Sequence, residues 1–329
     1  MQRLVQGLGR RILDGVANRI AQRIVDSGRL SDGIAYRLAM EALAASASDK
    51  APMELFHGIS DGFWFWLCAE GYQRHPSLRA ILPGLPDEAI QLNFTGSKGE
   101  QVLREGFRAY VLLKEQYETH VGPLAKCGPI LDFGCGWGRI IRFFLKDVEP
   151  SRLVGIDPVK EMIEFCTSSN KWCRFELMNR RPPTRFPDNM FDLIYGYSVF
   201  SHLSEKVHED WLAELRRILR PGGLLVVTTR DREFIAYCAV LRKDKRLNTY
   251  PDGIKVSAVS FPDVKRSLAD YDQGRYVYTS HGYSGDWDYW GDTAIPKGYV
   301  LSHWTQYLTF VDYIDDRTRC SQNIIVMKK

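Results

Sequence analysis

Between residues 129 and 139 the chain reads Pro-Ile-Leu-Asp-Phe-Gly-Cys-Gly-Trp-Gly-Arg. The short, mostly apolar run from Pro129 to Phe133 predicts a buried strand. Three glycines at alternate positions follow, Gly134, Gly136 and Gly138, and Arg139-Ile-Ile-Arg-Phe-Phe-Leu145 opens a helical pattern. Strand, glycine turn and helix make the first half of a nucleotide-binding unit. Glycine suits such a turn because it accepts positive φ and lets a ligand approach the bare backbone.

The spacing narrows the ligand. A dinucleotide fingerprint is G-x-G-x-x-G; here it is G-x-G-x-G, and Arg139 stands where the third glycine would fall. Asp132, two places before the first glycine, is a poor neighbour for a pyrophosphate and a good one for an ammonium group. The loop suits a ligand with adenosine at one end and a cationic amino group at the other, as S-adenosylmethionine has. Taken alone, these residues also fit another nucleotide, or a turn that binds nothing. Asp157 ends a second predicted strand, Arg152 to Asp157. It lies about twenty residues beyond the loop, where an acid meets ribose hydroxyls. A carboxylate accepts both hydrogen bonds of a vicinal diol, although an Asp at this place also serves as a plain helix N-cap.

Strand and helix then alternate. Further strands are expected at Cys173 to Met178, Phe191 to Gly196, Leu224 to Thr229, Tyr307 to Ile314 and Asn323 to Met327. A helix from about Ser204 carries Val207, Trp211, Leu212, Leu215, Ile218 and Leu219 on one face and stops at Arg220-Pro-Gly-Gly223. The D-x-G-x-G-x-G run at 132–138, Asp157 and the blocks Phe191-Asp-Leu-Ile, Ser198-Val-Phe-Ser-His-Leu203 and Leu215-Arg-Arg-Ile-Leu-Arg-Pro-Gly-Gly-Leu-Leu-Val-Val227 stand in order over residues 129–230. In that order they resemble the class I (Rossmann-like) S-adenosylmethionine-dependent methyltransferases.

The resemblance implies an α/β fold with a seven-stranded, mostly parallel sheet in the order 3-2-1-4-5-7-6. A methyltransferase domain would span residues 91–329, after an N-terminal helical extension over 1–90, with a lid-like insertion at about 231–295 after the fifth strand. It implies an enzyme with S-adenosyl-L-methionine as cofactor, held by Asp132, Phe133, Gly134, Cys135, Gly136, Gly138, Asp157, Pro158, Met178, Asn179 and Tyr197. The family often has an Asp for the adenine amine where this chain has Met178-Asn179; the side-chain oxygen of Asn179 can accept that hydrogen bond. Phe94, Thr95 and Gly96, before a helix expected to end ahead of Gly122, would form part of a lid; a plain helix entry fits equally well.

Methyl transfer from a sulfonium needs positioning, exclusion of water and the handling of one proton. His202, after the fourth strand, is the base candidate, against a capping or packing role. His281, Tyr283 and Asp286 in the insertion are candidate substrate contacts. No Asn- or Asp-Pro-Pro-aromatic motif follows the fourth strand, where the chain reads Tyr195-Gly-Tyr-Ser198, and there is no Pro-Cys dipeptide or paired-glutamate loop. Nucleic-acid bases and protein arginines are disfavoured on those grounds, leaving small molecules, including sugars, lipids and natural products; O-methylation of a small hydroxylated molecule or a glycan is the favoured reading. A non-catalytic binding or scaffold protein of the same fold is the alternative. A nicotinamide oxidoreductase is disfavoured by Asp132 and Arg139.

Composition enters at the N-terminus. The net charge is +4, and residues 1–30 carry six arginines against two aspartates, a surplus equal to that of the whole chain. Residues 3–27 read as an amphipathic helix and Ser31 to Ala45 as a second. Docking on the protein itself or on a second copy is favoured over peripheral membrane contact, because Asp14 and Asp26 dilute the basic face. The seven cysteines show no C-x-x-C pair, so no metal site is expected and free thiols in the cytoplasm are.

Overall fold

The computed structural model describes residues 51–280 and 288–329. The chain divides into two compact units, Met1–Gly84 with Arg142–Pro150 and Leu85–Ile141 with Ser151–Lys329.

In the first unit, α1 (Pro52–Phe56) precedes α2 (Asp61–Trp66), whose N-cap Ser60 accepts from the Phe63 amide at 3.2 Å. The helix runs on through a π turn, Leu67–Gly71, into α3 (Tyr72–Arg74), and α4 (Pro76–Arg79) follows. Phe63, Trp64 and Trp66 are buried, as the aromatic density of the segment predicts. The helix expected over Arg139 to Leu145 is absent: turns lead into a 3-10 helix, Ile141–Lys146. A surface helix buries one stripe, whereas Arg142, Phe143, Phe144, Leu145 and Lys146 are buried in succession. Their polar groups are met within this unit. The Arg142 guanidinium donates to Gly84 O at 2.7 Å, Lys146 Nζ lies 2.7 Å from Asp61, and Trp64 Nε1 donates to Phe143 O at 2.9 Å.

The second unit holds a seven-stranded sheet in the order β3-β2-β1-β4-β5-β9-β8. Its strands are β1 (Ile130–Phe133), β2 (Leu153–Asp157), β3 (Arg174–Leu177), β4 (Phe191–Gly196), β5 (Leu219–Thr229), β8 (Thr309–Ile314) and β9 (Asn323–Lys328). The first five are parallel, and β9 runs antiparallel to both neighbours. This is the expected order, with two extra short strands shifting the last two numbers. β5 starts five residues early, because Arg220 to Gly223 stays extended at a register shift against Phe191 to Leu193. Every residue of β1, β2 and β4 is buried, as both faces of a parallel sheet must be.

Helices α5 (Glu88–Thr95), α6 (Gly99–His120), α7 (Lys160–Ser169) and α8 (Glu205–Ile218) belong to this unit. Gly96, at φ +75°, ends α5. α8 buries Trp211 and its apolar face in a core with Phe133, Phe200 and Trp304. The insertion comprises α9 (Arg232–Leu241), α10 (Asp252–Val259), α11 (Val264–Asp272) and a ribbon of β6 (Val277–Thr279) with β7 (Asp292–Ala294); α12 (Lys297–His303) follows it. It has its own small core of Ile235, Cys238, Phe261, Val277 and Ala294.

Candidate functional site

A cleft of about 220 Å³ opens at the carboxyl ends of β1, β2 and β4. Gly134, Gly136 and Gly138 all have positive φ, at 76°, 51° and 75°. The amides of Gly134 and Cys135 both donate to Ile156 O, at 2.8 and 3.0 Å, tying the loop to β2. A Cβ on Gly134 would lie 2.4 Å from Val199 Cγ2, so only glycine lets the loop pass beneath the β4 connection. Asp157 grips the loop from the other side. Its Oδ2 accepts from the Gly136 amide and its Oδ1 from the Val159 amide, both at 2.8 Å. Each oxygen has used one lone pair, so capacity for a diol remains.

Asp132 lies in β1 and is 2% exposed, and its Oδ2 has no hydrogen-bond partner among the described residues. Burial, reinforced by the charge of Asp157 and opposed by the Tyr195 hydroxyl and Arg139, pushes its carboxyl up to about 7. An unsatisfied carboxylate oxygen in such a place is costly. It fits the ammonium end of a ligand, and Asp157 in the same cleft fits a ribose. The residues present therefore suit S-adenosylmethionine.

The loop after β4 forms the opposite wall. Ser198 holds φ +61°, which is uncommon for a residue with a side chain. The conformation is fixed by neighbours: the Ser198 amide donates to Thr228 Oγ1 at 2.7 Å, and Gln322 Nε2 donates to Ser198 Oγ at 2.9 Å. His202 lies flat against Trp290, with ring centroids 4.7 Å apart and 12° between planes. His202 Nδ1 is 2.7 Å from Gly291 O. A carbonyl only accepts, so Nδ1 carries the proton and Nε2 is the basic nitrogen. Burial lowers the pKa of His202; Asp292, whose Oδ1 is 3.6 Å from Nδ1, opposes this, and Arg230 adds to it. The ring is thus neutral at neutral pH.

The insertion is stitched to this loop by backbone bonds. Gly291 N donates to His202 O and Thr293 N to Ser201 O, both at 2.8 Å, and Thr293 Oγ1 donates to Leu203 O at 2.5 Å.

Of the residues predicted for the cofactor, Asp132, Gly134, Cys135, Gly136, Asp157, Pro158, Met178 and Tyr197 line the cleft, as does His202. Three do not line it. The Phe133 ring points into the core, edge-on to Trp211 at 4.7 Å. Gly138 sits behind the loop, where a Cβ would meet Cys166 and Phe175. Asn179 is exposed; β3 ends at Leu177, and successive extended residues point to opposite sides, so Met178 takes the inner position. His281, Tyr283 and Asp286 lie outside the described residues. Phe94 and Thr95 line the cleft beside the loop, while Gly96 does not.

Tyr289 and Trp290 also line it and were not predicted. Their signal was present in the aromatic run Tyr276 to Gly291. Arg139 is likewise in the wall, paired with Glu105 at 3.3 Å and with its guanidinium 5.4 Å from the Tyr197 ring centroid.

Residues 130–223 match the family model described as a methyltransferase domain. An uncharacterized methyltransferase of Schizosaccharomyces pombe is 30% identical over 126 residues, which are 34% of this chain and 43% of that protein. A trans-aconitate 2-methyltransferase of an Azoarcus strain is 30% identical over 108 residues, 32% of this chain and 40% of its own length. The chain thus spans about two-fifths of the length of these curated relatives. A solved protein from Pyrococcus horikoshii is 19% identical with a TM-score of 0.42, over 68% of this chain and 90% of its own.

Proposed function

We propose, from the premise that the chain belongs through residues 130–223 to the class I S-adenosylmethionine-dependent methyltransferases, that it methylates a hydroxyl oxygen of a small molecule or glycan. The cofactor, when bound, supplies a methyl group already activated on a sulfonium. The observation that carries the reading is the buried, unpartnered Asp132 Oδ2 in the same cleft as Asp157.

Each residue then has a task. Asp132 takes the ammonium group and Asp157 the ribose hydroxyls. Pro158 and Met178 offer the adenine an apolar bed. Tyr289, Trp290 and Phe94 narrow the cleft and exclude water. His202, its Nδ1–H held by Gly291 O, presents Nε2 as the acceptor for the hydroxyl proton. A neutral ring is what that task needs, and burial keeps it so. The name of the Azoarcus relative, a trans-aconitate methyltransferase, supports a small acceptor.

The test is calorimetric titration with S-adenosylhomocysteine, followed by transfer of labelled methyl from the cofactor into a pool of hydroxylated metabolites. Saturable binding and a base-stable methyl ether are expected. Without binding, the reading is lost; binding with no transfer to any hydroxylated compound leaves a binding protein.

A further inference from the structure

A second cavity, of about 190 Å³, shares one wall with the cofactor cleft. Tyr197 lines both. The Arg139–Glu105 ion pair reinforces the same partition, since Arg139 lines the cleft and Glu105 the cavity. The floor is made by the ends of β4 and β5 and by β9, and α6 and the turn between β8 and β9 close the sides.

Leu112 and Leu113 from α6, with Ala109, Val226 and Ile324, give the lining an apolar part, beside the polar Tyr195, Thr228 and Ser321. The mouth is cationic, with Arg108, Arg317 and Arg319. Two of these are spoken for: Arg317 pairs with Asp231 and reaches Glu233 at 3.8 Å, and Arg319 pairs with Glu115 at 2.7 Å. Glu105, the acidic residue of the lining, is taken by Arg139. Arg108 is exposed and has no ion-pair partner among the described residues. One positive charge at the rim of a partly apolar chamber is therefore left over.

Resting on the methyltransferase reading, we propose that this cavity holds the acceptor, and that the acceptor is a hydroxylated molecule with an apolar body and one carboxylate. The body lies on Leu112, Leu113, Val226 and Ile324, and the carboxylate meets the Arg108 guanidinium, whose planar fork matches it. The hydroxyl extends past the edge of Tyr197, which lines both spaces, into the cofactor cleft, where it meets His202 Nε2.

The experiment titrates the full chain, with and without S-adenosylhomocysteine, with 4-hydroxybenzoate, 4-hydroxybenzamide and 4-hydroxybenzylamine. The carboxylate should bind at least tenfold more tightly than the neutral and cationic analogues. Arg108→Ala should remove that tenfold preference, and Arg108→Glu, at an exposed position, should turn it toward the amine. Leu112→Trp, filling the chamber, should abolish binding of the carboxylate while the S-adenosylhomocysteine isotherm stays within twofold, which also shows that the variant is folded. Equal binding of the three probes to the unaltered chain, or an unchanged order in Arg108→Glu, overturns the proposal. Failure of S-adenosylhomocysteine to bind would instead remove the methyltransferase reading, and the three-probe titration of the chain alone would still decide the cavity.

Discussion

Asp132 shows how one side chain sets a measurable property of the site. With its carboxyl pushed up to about 7, it is partly protonated in the free protein at neutral pH. An arriving ammonium group favours the ionised form, so binding must expel a proton. S-adenosylhomocysteine affinity should therefore rise with pH up to about 7 and level off above it. Calorimetry at pH 6.5 in buffers of different ionisation heat should report proton release. Asp132→Asn should abolish that release and weaken binding by about 1–3 kcal/mol. Asp157→Ala should cost a similar amount, about 1–3 kcal/mol, partly by freeing the Gly136 amide it now holds; an unchanged isotherm would remove the ribose role. In its proposed role His202 acts in the neutral form, and burial lowers its pKa, so kcat at saturating cofactor should stay flat from pH 8 down through the usual histidine range and fall only below it. His202→Asn should lower kcat by roughly a hundredfold with little change in cofactor affinity. That both aspartates lie at the cleft was legible in the sequence, because the glycine pattern fixes their distance from the loop. Asn179 was not, because a one-residue difference in where β3 ends decides which of two neighbours faces inward.

The contact between α6 and the glycine loop is tight enough to test with a single methyl group. A Cβ on Gly106 would lie 2.8 Å from Arg139 Cγ and 3.0 Å from the Arg139 carbonyl oxygen. The second of these is backbone, which cannot swing aside. Gly106→Ala should therefore push α6 off the loop and destabilise the fold by about 1–3 kcal/mol, read as a lower urea midpoint. S-adenosylhomocysteine binding should weaken with it. Elements with a single buried stripe, α6 and α8, were readable from periodicity. The helical pattern after the glycine loop does not become an α-helix, because its side chains are buried in succession and Arg142 and Lys146 find their partners inside the protein. The three-residue strands β6 and β7 are too short to carry an alternation signal.

Across the whole molecule, stability should depend on His208. It is fully buried in α8, its Nε2 accepts from Trp304 Nε1 at 3.2 Å, and burial holds its pKa down to about 3. Protonation would set two donors face to face. The unfolded chain takes up this proton near pH 6.5 and the folded chain does not, so stability is lost as pH falls from about 6.5 towards 3, by roughly 4 kcal/mol in all. Asp132 opposes this in part, since its raised carboxyl makes the folded state bind the extra proton above the ordinary carboxylate range. His208→Gln isolates the histidine: its urea midpoint should change less between pH 8 and pH 5 than that of the unaltered chain. The sheet order was legible because the motifs stand in sequence at strand–helix spacing, and parallel strands with helical crossovers leave few topologies. How the insertion meets the site was not, because it rests on backbone bonds between segments about ninety residues apart, as from Gly291 to His202, and main-chain amides leave no trace in residue choice. Those bonds make the insertion an inseparable part of the machinery. A homologue's insertion grafted here would have to reproduce the path of residues 289–293 or lose the His202 tautomer with it, so any exchange of specificity between relatives must begin and end outside that seam.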